Sequence, residues 1–142
     1  MEHLIGFAGE IHTYRMLTKT YGAEVMHPGT WKSSYSKRVF PGNNPDDNIG
    51  CDFIIDQKKL TYHIEVKSSL DDNESFELGS SEIRTAMEMT RKRKGHVFMI
   101  MHVYNALSNN PGFRLLPNPY DPKSQGVYVI EDAGARIRYR LK

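Results

Sequence analysis

The chain has 142 residues, a formal net charge of +2, 39% hydrophobic residues and 25% charged residues. These values are typical of one globular domain, whether stand-alone or cut from a larger protein, and they exclude binding of nucleic acid through bulk charge. The single cysteine excludes an internal disulfide and a cysteine-rich zinc site. No apolar stretch reaches the ~18 residues of a membrane span and no signal-peptide pattern opens the chain, so we expect a cytoplasmic protein without membrane contact.

The first predicted element is a helix. Apolar residues recur with helical spacing from Leu4 to Tyr21, and a glycine follows. Glu10 lies at the border of this apolar stripe, where an acid can face a sheet or solvent. Short strands are predicted around Val25 and Trp31, before a loop over residues 35–48.

The stretch 49–67, IGCDFIIDQKKLTYHIEVK, predicts a β-hairpin. Asp52 opens an apolar run, residues 57–59 form a polar turn, and the following strand alternates strictly. Glu65 and Lys67 therefore share one face of that strand, because side chains alternate with a period of two. If the strands pair through this turn, Asp52 returns to the end that carries Glu65.

Two acids and a lysine at one rim of a sheet suit metal-assisted phosphodiester hydrolysis. Two carboxylates about 4 Å apart repel by roughly 4 kcal/mol at an effective dielectric constant near 20, and a divalent cation reverses that penalty. Mg²⁺ takes one or two carboxylates together with water and phosphate oxygens. Asp52 and Glu65 are thus candidate ligands, and Lys67 can orient a water or stabilise charge.

Four segments in order along the chain carry a family resemblance that spans roughly residues 5–130. The segments are Gly9-Glu10, Gly50-Cys51-Asp52-Phe53, Ile64-Glu65-Val66-Lys67-Ser68, and Phe76-Glu77-Leu78 before Glu82. Together they resemble the nuclease-like domain at the C-terminus of NO VEIN-type proteins, within the PD-(D/E)XK nuclease superfamily. Asp46 and Asp47 compete with Asp52 for the first acid, but they lie among loop-forming residues, whereas Asp52 sits at a strand start.

The resemblance implies an α/β fold with a restriction-endonuclease-like core, in which helices flank a mixed sheet of four or more strands. It implies a nuclease that uses Mg²⁺, or Mn²⁺ in its place, with DNA as the expected substrate. Asp52, Glu65 and the Val66 carbonyl would bind the metal, Lys67 would act on the water or on developing charge, and Glu10 would tune the site. Related domains accompany ATPase or helicase modules in prokaryotic defence or restriction systems, and double-strand cutting would favour a homodimer.

A second helix is predicted from Ser80 to Lys94. Glu82 lies in its first turn, where capping and an active-site role are equally good interpretations. Four cations close the helix, and they either complement its dipole or contact phosphates. These candidate nucleic-acid contacts are Arg91, Lys92, Arg93 and Lys94.

The rest of the chain predicts strands. The apolar run 96–104 is expected to be a central strand buried on both faces, with His102 as a hydrogen-bonded core histidine. Shorter strands are predicted at 113–116 and 126–131. The alternating stretch 136–141 is expected to be an edge strand with one basic face.

Two rival interpretations stay open at this point. A catalytically inactive nuclease-fold module that binds nucleic acid or a protein partner would be expected to lose one member of the acid-acid-lysine set, and all three are present. An unrelated α/β fold with a surface pair of Glu65 and Lys67 predicts that Asp52 lies far from Glu65.

Overall fold

The computed structural model describes residues 1–91, 94–134 and 136–142, and each of its two α-helices precedes a run of strands. The described elements are α1 (Glu2–Tyr21), β1 (Phe53–Gln57), β2 (Leu60–Ser68), β3 (Ser75–Leu78), α2 (Ser80–Arg91), β4 (His96–Tyr104), β5 (Gly112–Pro117), β6 (Tyr128–Ala133) and β7 (Arg136–Leu141). None of the helices in these ranges combines the length and the apolar character needed to cross a bilayer.

The strands form two sheets. The first has the order β1-β2-β4-β5, with β2 and β4 parallel and the other pairs antiparallel. The second has the order β3-β7-β6 and is antiparallel throughout. The predicted α/β fold with a mixed four-stranded sheet is therefore confirmed, and β4 is the predicted central strand.

Two hydrophobic clusters lie on opposite faces of the first sheet. Ile64 and Val66 of β2 belong to the cluster packed against α1, whereas Ala86 and Met89 of α2 belong to the other cluster. Because neighbours along a strand point to opposite faces, Glu65 lies on the α2 side of the sheet. The fold thus places the start of α2 over the acids of the hairpin.

Several predicted elements need correction. The stretch around Val25 forms no strand, and Trp31 makes an isolated bridge to Phe53. Strand β3 was not predicted, because four residues are too short for a clear alternation. Strand β7 is the middle strand of its sheet, not an edge, and it pairs with both β3 and β6.

The second helix is shorter than predicted. It ends at Arg91, and Lys94 lies in a turn beyond it. Lys92 and Arg93 lie outside the described residues.

His102 is a hydrogen-bonded core histidine, as predicted. Its ring is buried, with Nε2 3.1 Å from Ser69 Oγ and Nδ1 3.3 Å from an Arg114 guanidinium nitrogen. Burial, and then the charge of Arg114, lower the pKa of this ring. The imidazole is therefore kept neutral as part of the core.

Candidate active site

The β1–β2 hairpin brings Asp52 opposite Glu65. Phe53 pairs with Ile64, and the Asp52 backbone N–H donates to the Ile64 carbonyl at 2.9 Å. One residue further along the register, Asp52 and Glu65 face each other, and opposed residues of an antiparallel pair project to the same side. Asp52 Oδ2 also accepts a 2.8 Å hydrogen bond from the Val66 N–H. The rival fold in which these acids lie apart is therefore wrong.

A short turn sets this register. Gln57 pairs with Leu60, which leaves Lys58 and Lys59 as a two-residue connection. Lys58 adopts a left-handed backbone with φ of 58°. Two-residue hairpin turns favour such angles at their first position, because the twist then matches that of the strands.

Gly50 lets α2 approach the start of the hairpin. Its φ is 82°, and a Cβ there would lie 2.1 Å from Thr85 Oγ1 and 2.7 Å from the Ser81 carbonyl oxygen. Thr85 Oγ1 in turn donates to the Ile49 carbonyl at 3.0 Å. A side chain at position 50 would push this helix, and Glu82 with it, away from the acids.

Lys67 lies between two carboxylates. Its Nζ is 3.2 Å from Glu65 Oε2 and 2.8 Å from Glu82 Oε1. Burial alone would lower the pKa of Lys67, but Glu65 and Glu82 outweigh it and raise that pKa above its usual value. Burial alone would raise the pKa of Glu82, but Lys67 beside it holds that pKa below its usual value. The ammonium is thus charged and held from both sides.

The two acids of the hairpin resist being ionised together. Desolvation raises the pKa of Asp52 to about 6, against the lowering effects of the Val66 hydrogen bond and the Lys67 charge. Desolvation, and then the negative charge of Asp52, raise the pKa of Glu65 well above its usual value. Perturbed carboxyls of this kind are common at catalytic and metal-binding sites.

The acids also border a cavity of about 90 Å³. Glu82, whose role the sequence left open, lines this cavity. Asp47, which the sequence assigned to a loop, is exposed at its rim and accepts a 2.9 Å hydrogen bond from the Ser34 N–H. Asp46 instead accepts from the Asn48 N–H as a turn cap. The cavity lining comprises Asp47, Gly50, Cys51, Asp52, Glu65, Ser81 and Glu82.

Glu10 lies on α1, which packs on the other face of the sheet. Its carboxylate accepts a 2.8 Å hydrogen bond from Trp31 Nε1 and a short one from Ser33 Oγ. Burial, and then the negative charge of Asp52, raise the pKa of Glu10 to about 8. Glu10 is therefore coupled to the site through charge, while its hydrogen bonds go to Trp31 and Ser33.

Asp52 and Glu65 are the hairpin carboxylates that could serve as ligands of a hard divalent cation. No cluster of three or more His, Cys, Asp or Glu side chains able to hold a metal ion occurs in the described residues. Asp52 and Glu65 supply two carboxylates, the number that Mg²⁺ commonly takes before water and phosphate complete its shell. Their repulsion across the hairpin leaves a site that a cation would neutralise.

Arg91 and Lys94 do not lie near these acids. Both are exposed, and they stand at the far end of α2 from Glu82. The helix has 12 residues, so Arg91 is roughly 17 Å along the axis from Ser80 at ~1.5 Å per residue. A contact of Arg91 and Lys94 with the phosphates of a nucleic acid stays a prediction.

Comparison with known proteins gives one family. Residues 24–116 match the family model described as Protein NO VEIN, C-terminal, which covers about two thirds of the chain. No curated protein and no solved structure matches the chain. The matched range contains Asp52, Glu65, Lys67 and Glu82, whereas Glu10 and the β6–β7 hairpin lie outside it. The resemblance read from the sequence is confirmed.

Proposed function

Because this chain belongs to the NO VEIN C-terminal family, a PD-(D/E)XK-like nuclease domain family, we propose that it is a Mg²⁺-dependent nuclease that hydrolyses phosphodiester bonds in DNA. One observation carries the proposal. Asp52 and Glu65 face each other at the end of the hairpin, and Lys67 Nζ lies 3.2 Å from Glu65. All three members of the acid-acid-lysine set therefore converge on one side of the sheet.

Asp52 and Glu65 would hold the cation, with the Val66 carbonyl as a third ligand. A bound Mg²⁺ would lower the pKa of a coordinated water and neutralise charge on a phosphate. Desolvation raises the pKa of both carboxyls, and the negative charge of Asp52 raises that of Glu65 further. A bound cation would stabilise the ionised form of both carboxylates. The metal-bound protein should therefore be more stable than the metal-free protein.

Lys67 would stabilise the transition state. Its raised pKa keeps it protonated at neutral pH, so its ammonium can donate to a phosphate oxygen or orient the attacking water. Glu82 accepts from it at 2.8 Å and restrains its position. A partly buried cation in a fixed position stabilises developing charge better than a mobile surface lysine, because little reorganisation is needed.

Cleavage of plasmid and linear DNA tests this proposal. The wild type should cut with Mg²⁺ or Mn²⁺ and stop when a chelator is added. Lys67→Ala should abolish cutting without loss of folding, as followed by circular dichroism. The matched control is Lys59→Ala, which removes an exposed lysine from the turn of the same hairpin.

Two results would contradict the proposal. Cutting by Lys67→Ala at the wild-type rate would remove Lys67 from the mechanism. A folded wild type that binds DNA but cuts with neither metal would favour the inactive binding module. An ATPase or helicase partner, a role in prokaryotic defence and a homodimer stay predictions from the family resemblance.

A further inference from the structure

Strand β7 carries a row of arginines on the face away from the core. Tyr139 is fully buried, and Ile137 packs against the same cluster. Arg136, Arg138 and Arg140 alternate with them and are 44%, 46% and 51% exposed. Successive members are about 6.7 Å apart, twice the rise of a strand residue.

The row begins at the candidate active site. Arg136 Nη2 is 3.6 Å from Glu82 Oε1, the same oxygen that lies 2.8 Å from Lys67 Nζ. Arg136 also passes over Gly79, where an added Cβ would come within 3.0 Å of its guanidinium. The arginines therefore lead outward from the pair formed by Lys67 and Glu82.

A groove connects Lys67 with the two outer arginines of the row. Lys67, Arg138 and Arg140 all line a cavity of about 720 Å³. The lining also includes Ser68 and Ser69, at and just beyond the end of β2, and the carboxylates Glu77 and Glu131. This space is much larger than the cavity of about 90 Å³ between the acids, and it suits an extended ligand that reaches Lys67.

In the protein without nucleic acid, the three arginines form ion pairs with carboxylates. Glu77 lies 2.9 Å from Arg138 and 3.6 Å from Arg136, and Glu131 lies 3.5 Å from Arg140. Exposed pairs of this kind contribute only about 0–1 kcal/mol. Phosphate groups can therefore displace them, since a guanidinium binds phosphate in the same bidentate manner as a carboxylate.

We propose that the arginine row of β7 is the surface that binds the phosphodiester backbone of the nucleic acid, and that Glu77 limits its affinity by competing for Arg136 and Arg138. The inference rests on the proposed function, because the arginine row would bind the nucleic acid that the active site cleaves. The row lies outside the residues that match the family model. It replaces the end of α2 as the main phosphate contact.

Fluorescence anisotropy with a short labelled DNA duplex in chelator tests the inference without catalysis. Arg138→Gln/Arg140→Gln should weaken binding roughly tenfold and lower the slope of log K against log salt concentration by about 2. Glu77→Gln should tighten binding several-fold, because it frees two arginines. The charge-matched control is Arg91→Gln/Lys94→Gln, which should lose less affinity.

The arginine variant should weaken DNA binding and Glu77→Gln should strengthen it. Because a folding defect would not strengthen binding, the test stays decisive even if one variant folds poorly. Undetectable binding by the wild type, unchanged or weaker binding by Glu77→Gln, or a larger loss in the control would overturn the inference. Arginine-dependent binding without cleavage would refute the nuclease and support the binding row. Cleavage of DNA together with an affinity that does not change in the β7 variants would refute the proposed binding surface and leave the proposed nuclease activity standing.

Discussion

Lys67 Nζ lies 2.8 Å from Glu82 Oε1, so this ion pair links the end of strand β2 to the first turn of α2. Glu82 faces both Lys67 and Arg136, and the Gly79 backbone also lowers its pKa through a hydrogen bond. An acid in this position can cap the helix and restrain the lysine at once. The two interpretations that the sequence left open for Glu82 are therefore compatible.

Glu82→Gln should lower the cleavage rate and shift the basic limb of the pH–rate profile to lower pH. The reason is that Glu82 helps to raise the pKa of Lys67, and an uncharged amide removes that contribution. Glu88→Gln, an exposed position on the same helix, is the matched control. A lower rate with an unshifted profile would show that Glu82 does not act through Lys67.

Asp52→Asn should stabilise the metal-free protein at neutral pH. The pKa of Asp52 is raised from 3.8 to about 6 in the fold, which corresponds to at most about 3 kcal/mol of unfolding free energy. Since the folded pKa is raised, this stability is present below pH ~4 and is lost as pH rises through ~6. The melting temperature in chelator should thus be higher for Asp52→Asn than for the wild type at pH 7, and the difference should shrink toward pH 4.

The same variant should lose its response to metal. Added Mg²⁺ should raise the melting temperature of the wild type at pH 7 more than at pH 5, and leave that of Asp52→Asn unchanged. Asp56→Asn, an exposed acid on the same hairpin that accepts from Thr61 at 2.8 Å, is the control. A metal-free Asp52→Asn protein less stable than the wild type at pH 7 would contradict this interpretation of the site.

Glu10→Gln should retain the fold and much of the activity at neutral pH. The pKa of Glu10 is raised to about 8, so the carboxyl is mainly protonated at pH 7 and a glutamine resembles it. The wild type should lose stability as pH rises toward ~8, because the carboxyl ionises in the unfolded chain while burial keeps it protonated in the fold, and the variant should lack that loss. Melting curves from pH 6 to pH 9 measure it. Equal pH dependence in both proteins would exclude the raised pKa.

The acid-acid-lysine set was accessible to sequence reasoning because its geometry is local. A two-residue turn and a strict alternation place Asp52, Glu65 and Lys67, and both features are visible in 16 consecutive residues. The contact of Glu82 with Lys67 was not accessible, since it depends on how Gly50 admits α2. No local pattern reports such a long-range approach.

The position of the β7 arginines within their sheet likewise depends on long-range contacts that the local sequence does not report. Their alternation was visible, but the partners of the strand were not, because β3 lies some 60 residues earlier and is four residues long. An isolated basic strand therefore looked like a protected edge. Consecutive cations make the end of α2 the densest positive patch of the sequence, although Arg91 stands at the opposite end of the helix from Glu82.

Anomalous scattering from a crystal soaked in Mn²⁺ tests most directly whether Asp52 and Glu65 coordinate the same cation. We predict a peak between the two carboxylates, within bonding distance of an oxygen from each, and its disappearance in Asp52→Asn. A soaked crystal of active protein with no peak there, or with the ion held elsewhere, would contradict the proposed metal site.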